Sequence, residues 1–352
     1  MRNNLIFIFL FFLLGCTEAI ELDTSGVGRQ IFIYGSINNS DLPQRVEVRA
    51  TTSILNRSNP LDGITVTLKD NIGGNGRYRQ VAAGLYELIP STINVFPGLD
   101  YWIEVTLLDG TTYRSVPETM PLSTATDSLN FNFVRETRLS ELGVEIEENF
   151  INITATTQLV KGADPIYLRW DVTETFILFP TDFPDAFNSV PLPYYFTQKP
   201  DPQRINLFNG ENFSSNNLSR RILAVKEIDY SFLAKHFFTV TVSSTSREAF
   251  DFWNQIDVVS NSAGSIFDIP PAKVRGNIFN VEDPTEEVLG YFEANTSTFK
   301  RFRLFIDDIP FTVPESGCEF DRSRPGRDEY PSFCTECLPP DCTTRRPSFF
   351  DE

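Results

Sequence analysis

Histidine is nearly missing from this chain: His236 is the only one in 352 residues. Zinc hydrolysis in its common forms needs several histidines or carboxylates around an open coordination position, which a single imidazole cannot supply. No Gly-x-Ser-x-Gly elbow accompanies the histidine, so the usual serine-hydrolase arrangement is missing as well. No glycine-rich loop opens a helix to cradle phosphate, because Gly73-Gly74-Asn75-Gly76 joins two strand-like stretches. Positive charge is scarce: 30 lysines and arginines face 47 aspartates and glutamates, a formal net charge of −17. Such a surface repels phosphate backbones, so no nucleic-acid partner is expected. Beyond the first few residues, no hydrophobic run approaches membrane-spanning length.

One apolar run is present. Met1-Arg2-Asn3-Asn4 carries a single positive side chain and leads into an unbroken apolar stretch from Leu5 to Leu14. A spanning helix needs about 20 apolar residues, so this run is too short to be one. It has the length and flank of a secretory signal. Leu13-Leu14-Gly15-Cys16 resembles the lipobox of bacterial lipoproteins, where cleavage precedes a cysteine whose thiol takes lipid. The expectation is a signal peptide over residues 1–15 and lipidation at Cys16, which would hold the chain to a bilayer. Residues 16–29 are short, polar and glycine-bearing, and read as a tether. Its Glu18, Glu21 and Asp23 resemble the surface-export signal of Bacteroidota lipoproteins. The expected address is therefore the outer membrane, facing the cell exterior.

The rest of the chain reads as mainly β. Apolar content of 41% is ample for a packed core, and short alternating runs are punctuated by Gly, Pro, Asn and Asp. Residues 30–123 are expected to form an immunoglobulin-like β-sandwich. Arg45-Val46-Glu47-Val48-Arg49 and Ile64-Thr65-Val66-Thr67-Leu68 alternate cleanly, and Tyr101 to Leu107 reaches a hairpin signal at Asp109-Gly110. Trp102, inside an alternating strand, reads as core rather than as a ligand platform. Pro117 to Asp127 reads as a connector. Asp127-Ser128-Leu129 matches a short Bacteroidota O-glycosylation pattern, making Ser128 a candidate, although a plain turn also explains it.

Residues 124–309 are expected to form a second β-rich domain. Phe176 to Pro202 is aromatic and rich in proline, which keeps it out of a central strand. Its Phe179, Phe183, Phe187, Tyr194, Tyr195 and Phe196 make either a loop folded onto the sheet or an exposed ledge, and so a candidate ligand or partner loop. His236 lies in phase with Phe238, Val240 and Val242, and reads as a satisfied core histidine. Thr245 and Glu248 have capping-box spacing before a helix over about 247–259, whose Ala249, Trp253 and Ile256 form one apolar stripe.

From Ser246 onward a resemblance emerges. Glu248-Ala249-Phe250-Asp251-Phe252-Trp253, Gly264-Ser265-Ile266-Phe267 with Pro270-Pro271, Arg275-Gly276-Asn277-Ile278, Asp283-Pro284 and Val288-Leu289-Gly290-Tyr291-Phe292 resemble a Bacteroidota outer-membrane lipoprotein family known only as domain-of-unknown-function family 4249. Val66-Thr67-Leu68, Gly84-Leu85-Tyr86 and Asp109 to Tyr113 look like its first half. The resemblance implies an outer-membrane lipoprotein, often found beside TonB-dependent transporters. It implies no catalytic residues and no cofactor.

Residues 310–352 form a cysteine-bearing C-terminal segment with Cys318, Cys334, Cys337 and Cys342. Cys334-x-x-Cys337 is half of a zinc spacing, but the other half is missing, and no metal is expected. An oxidising compartment favours two disulfides, in any of three connectivities. The functional expectation is a non-catalytic surface module that binds a TonB-dependent transporter or another outer-membrane protein. An extracellular carboxylate-dependent hydrolase of glycans or peptides is the alternative, with acids such as Glu282, Asp283, Glu286 and Glu287 available. A purely structural surface protein is the third.

Overall fold

Strand β1 (Ile31–Asn38) alternates buried and half-buried side chains along its whole length, with Ile31, Ile33 and Ile37 turned into a core. The computed structural model describes residues 30–40, 42–52, 57–123, 125–139, 143–160, 165–184, 191–261 and 274–351. Cys16, the signal and tether, Phe187 and the Gly264 to Pro271 motif lie outside the described residues. Among the described residues no helix is long and apolar enough to cross a membrane.

The first core is held between two β layers. One contains β1, β2 (Arg45–Thr52) and β3 (Arg57–Pro60); the other is built on β4 (Thr65–Asp70). Strand β5 (Asn75–Ala82) pairs with β4 and also with β6 (Leu85–Leu88), which returns to β2 and so joins the layers. Strands β7 (Asp100–Thr106), β8 (Thr112–Ser115) and β9 (Glu118–Thr119) complete the second layer. Val46, Val48, Val66, Leu68, Ile103 and Val105 meet between the layers. The period-2 pattern thus turns every second residue inward. Trp102 corrects the sequence reading: Tyr101 and Ile103 take the core, so Trp102 falls on the outer, half-buried face with Arg114 5.0 Å above its ring.

Beyond residue 124, β10 (Ala125–Leu139) and β11 (Glu145–Leu159) form a long hairpin in continuous register, from Ala125 opposite Leu159 to Leu139 opposite Glu145. Asp127 to Leu129 is therefore strand, not turn. Strand β12 (Tyr167–Leu178) is flanked on one edge by β13 (Tyr194–Gln198) and β14 (Asn206–Asn209). Strand β15 (Asn217–Glu227) joins β11 in a separate three-stranded sheet, and β16 (His236–Thr245) takes the other edge of β12. The second core lies between these sheets, with Ile151, Ile153, Leu168, Trp170, Leu223, Phe238 and Val240 in it.

Helix α1 (Arg247–Asn261) follows β16 directly. Its cap is Ser246, whose Oγ accepts from the Ala249 amide at 3.0 Å, one residue later than the Thr245 expected from the sequence. Strands β17 (Ile278–Asn280) and β18 (Val288–Leu289) then run back to the first unit, pairing with β8 and β1. Strand β19 (Phe292–Leu304) belongs to both units. Its first four residues run parallel to β1, and its remainder pairs antiparallel with β16. Ile278, Val288, Phe292 and Ala294 accordingly pack in the first core, although the sequence places them late in the chain.

Two glycines of the family-like motifs permit this crossing. Gly290 has a positive φ of 99°, and a Cβ there would overlap the Ile33 carbonyl oxygen. A Cβ on Gly276 would overlap the carbonyl oxygen of Gly290. Only glycine allows backbone to lie this close to backbone. Asn277 locks the same place, donating to the Phe292 carbonyl at 2.8 Å and accepting from its amide at 2.9 Å.

Short helix α2 (Ser332–Thr335) and β20 (Cys342–Thr343) carry the cysteine-bearing tail around the β13 edge of the sheet. Cys318–Cys334 and Cys337–Cys342 are the disulfides.

Candidate functional site

Among the described residues, chemically capable side chains gather in more than one place. The first lies where the two units share β19. Glu293 is fully buried there and accepts from Arg169 Nη1 at 2.6 Å and from the Trp253 indole N–H at 3.0 Å. The Arg169 guanidinium lies 4.4 Å over the Trp253 ring, and Tyr34 meets that ring edge-on at 5.9 Å. Burial pulls the Arg169 pKa down, but Glu293 and Asp171 outweigh it and hold the guanidinium charged. Burial lifts the Tyr34 hydroxyl to about 12.

Glu118, on β9, completes this cluster from the first unit. Its carboxyl takes the Tyr291 hydroxyl and, at 3.2 Å, the Ala294 amide. Burial first, and then the neighbouring Glu293, push its pKa well above the carboxylate range. With Glu118 at 5% exposure and Glu293 at 0%, a substrate cannot reach the pair. The cluster joins the units. Trp253, Tyr291 and Asn277, prominent in the family-like motifs, therefore serve the crossing rather than a cleft.

The second place is built on the aromatic segment after β12. Of its five described rings, only Phe179 stands clearly in solvent, at 64% exposure. Phe183 meets Tyr330 at 5.3 Å and Phe320 at 5.8 Å, both edge-on. The Tyr194 hydroxyl donates to the Thr335 carbonyl, and Phe196 stacks on Phe176 at 5.3 Å. Tyr195 is buried against Phe350 at 5.0 Å. The segment is thus neither a free ledge nor a plain loop: it is the socket that receives the C-terminal tail. Cys318 and Cys334 pack beside Leu178 and Tyr330 in the same cluster, and Phe333 stacks on Tyr230 at 4.6 Å. Past β20, the chain crosses to the opposite face of the sheet, where Phe350 is buried against Phe237.

Between this stapled tail and the end of β12 lies a cleft of about 400 Å³. Phe179, Pro180, Tyr230, Leu233 and Phe320 line it, together with the carboxylates Asp182 and Glu319. A smaller hollow of about 140 Å³ adjoins it through Pro180 and Asp182. Thr181 is among the residues lining that hollow; it is 5% exposed, and its hydroxyl is buried with no hydrogen-bond partner.

The remaining expected residues are placed elsewhere. His236 is fully buried, with Nε2 3.1 Å from Glu174 and Nδ1 3.2 Å from the Ser231 carbonyl, and it stacks on Phe232 at 4.1 Å. It is a satisfied core histidine. Glu174, missed in the sequence, also accepts from Gln198 at 2.7 Å and pairs with Lys226 at 3.6 Å. Ser128 is exposed on β10, while its neighbour Asp127 turns inward to accept from Thr157 and from the Trp170 indole. The acidic run on 282–287 serves a turn. Glu282 accepts from the Thr112 amide, Asp283 from Thr285, and Glu286 from Tyr113 and Asn280.

A protein-family model described as Domain of unknown function (DUF4249) matches residues 17–301. No curated protein matches the chain.

Proposed function

We propose that this protein, which belongs to the DUF4249 family, is a non-catalytic, lipid-anchored binding module on the outer membrane of a Bacteroidota cell. In this reading Cys16 carries the lipid, the body faces the cell exterior, and the partner is a TonB-dependent transporter or another outer-membrane protein. The observation that carries the binding role is the cleft beside Phe179. Its walls come from three distant stretches of chain, around Phe179, Tyr230 and Glu319, and a disulfide secures the last of them. Paired cysteines suit a compartment outside the cytosol. The anchor rests on Leu13-Leu14-Gly15-Cys16 and the acidic tether behind it. The polar residues with the most catalytic potential support the same reading, since His236, Glu174, Glu118 and Glu293 are all buried in packing contacts.

The test is isolation of tagged full-length protein from outer membranes after labelling with a radioactive fatty acid. Label on the wild type that disappears in Cys16→Ala, together with a stoichiometric membrane partner, is the expected result. An unlabelled wild type overturns the anchor. Turnover of a glycan or peptide panel, lost on a single carboxylate change, overturns the non-catalytic role.

A further inference from the structure

The cleft beside Phe179 has a definite electrostatic character. Its lining is apolar and aromatic apart from Ser316 and the two exposed carboxylates, Asp182 and Glu319. Among the described residues no lysine or arginine lines it. Neighbouring bases are engaged elsewhere: Arg327, in the adjoining hollow, lies 5.0 Å over the Phe183 ring, Lys235 donates to the Phe350 carbonyl at 2.9 Å, and Lys226, whose charge reaches Tyr230, pairs with Asp229 at 2.7 Å. An anion entering here would meet both carboxylates and the field of a chain with a net charge of −17. A neutral apolar guest would strip water from those carboxylates and offer them no counter-charge. A cation on an apolar stem satisfies both demands. Its charge meets Asp182, Glu319 and the exposed ring of Phe179, which attracts cations, and its stem lies against the apolar lining. A second, independent feature agrees. The Thr181 hydroxyl is buried with no partner beside Asp182, so it can accept a hydrogen bond from an ammonium or guanidinium N–H.

We propose that the cleft formed by Phe179, Asp182 and Glu319, with Thr181 in the hollow that adjoins it, binds an organic cation: an ammonium or guanidinium group on an apolar stem. The cation is either a free small molecule or a lysine or arginine side chain of a peptide segment. This inference rests on reading the protein as a binding module.

Calorimetric titration of the full-length protein tests it with two matched pairs of probes. Benzylammonium is compared with benzyl alcohol, and N-acetyl-Phe-Arg-amide with its neutral citrulline analogue. The charged member of at least one pair binds saturably, its neutral counterpart binds at least about tenfold more weakly, and added salt weakens the interaction. Binding of the small ammonium assigns the site to free cations, whereas binding of the peptide alone assigns it to a protein segment. D182N/E319Q and F179A each weaken binding roughly tenfold without moving the melting temperature, because all three side chains are exposed. Thr181→Val weakens it less. Absence of saturable binding by either charged probe, equal binding of charged and neutral members, or indifference to these variants overturns the inference. Should the probes fail while the tagged protein still brings down a membrane partner, the inference falls and the broader reading stands. Failure of the partner isolation with intact cation binding does the reverse.

Discussion

Replacing Glu118 by glutamine isolates the pH response of the junction between the two units. In the folded chain Glu118 is buried beside Glu293, with Glu248 also adding negative potential, so its pKa stands well above the ordinary 4.5. The Ala294 amide and the Ser246 hydroxyl, which lower it, are outweighed. The folded state therefore keeps a proton that the unfolded chain releases above pH 4.5. The stability tied to this proton is complete below that pH and is lost as pH rises toward the folded pKa. One proton corresponds to a slope of about 1.4 kcal/mol per pH unit. Glutamine has the shape of the protonated carboxyl: its oxygen can accept from Ala294 and its amide can donate to the Tyr291 oxygen. Urea unfolding of wild type and Glu118→Gln at half-unit intervals from pH 4 to pH 7 measures the effect. Near pH 4 the two stabilities lie close together. Above it the variant gains on the wild type by about 1.4 kcal/mol per pH unit, until the folded carboxyl ionises and the gap levels off. Other titrating groups, such as Asp127 and Asp171, are common to both chains and cancel in the difference. Parallel curves across the range would refute the claim that Glu118 is held protonated. A Glu118→Ala control loses the acceptor of the Ala294 amide at every pH, and is destabilised by about 1–3 kcal/mol throughout.

Glu293→Gln keeps the shape of the side chain but removes the main counter-charge of Arg169, whose side chain is 10% exposed. Thermal melts should show a loss of about 3 kcal/mol, the low end for a broken buried pair, because Asp171 remains 3.2 Å from the guanidinium. The two disulfides differ in loop length, 16 against 5 residues of separation. Chain entropy makes Cys318→Ser/Cys334→Ser cost about 3 kcal/mol and Cys337→Ser/Cys342→Ser about 2 kcal/mol. Limited proteolysis of the tail, with the double variants compared at equal protease, reads that order, and the reverse order would refute the loop-length argument.

How far the sequence reaches can be judged element by element. Where one face is polar, as in Arg45 to Arg49 or Thr65 to Leu68, alternation alone places the buried residues correctly. Trp102 shares the phase of Glu104 and Thr106, opposite to Tyr101, Ile103 and Val105, so the alternation itself places it outside; only its aromatic bulk suggests the core, and packing follows the alternation. Strands β13, β14 and β15 carry no clear alternation in the sequence. They are short or richly polar, and their stability comes from neighbours far away in the chain, which local propensity does not register. The Ile222 to Val225 run was the one local signal for β15. The aromatic segment was visible as a cluster, but its role as a socket depends on rings more than 100 residues later. Glu118 and Glu293 are 175 residues apart, and nothing local marks either as buried.

The family-like motifs are the most instructive case. Gly276, Asn277 and Gly290 let β19 pass from one unit to the other, while Trp253, through Glu293, and Tyr291, through Glu118, hold the same crossing. Residues of this kind identify a fold because the fold cannot close without them, and for the same reason they say little about what is bound. The cleft stands in a different relation to the family. Two of its walls, at Phe179 and Asp182 and at Tyr230 and Leu233, lie inside the matched region, while Cys318, Glu319 and Phe320 lie beyond residue 301, where the match ends. Membership therefore accounts for the scaffold and for most of the cleft. The wall that supplies Glu319 and the disulfide has to be read from this chain alone, and the cation selectivity inferred for the cleft depends on it.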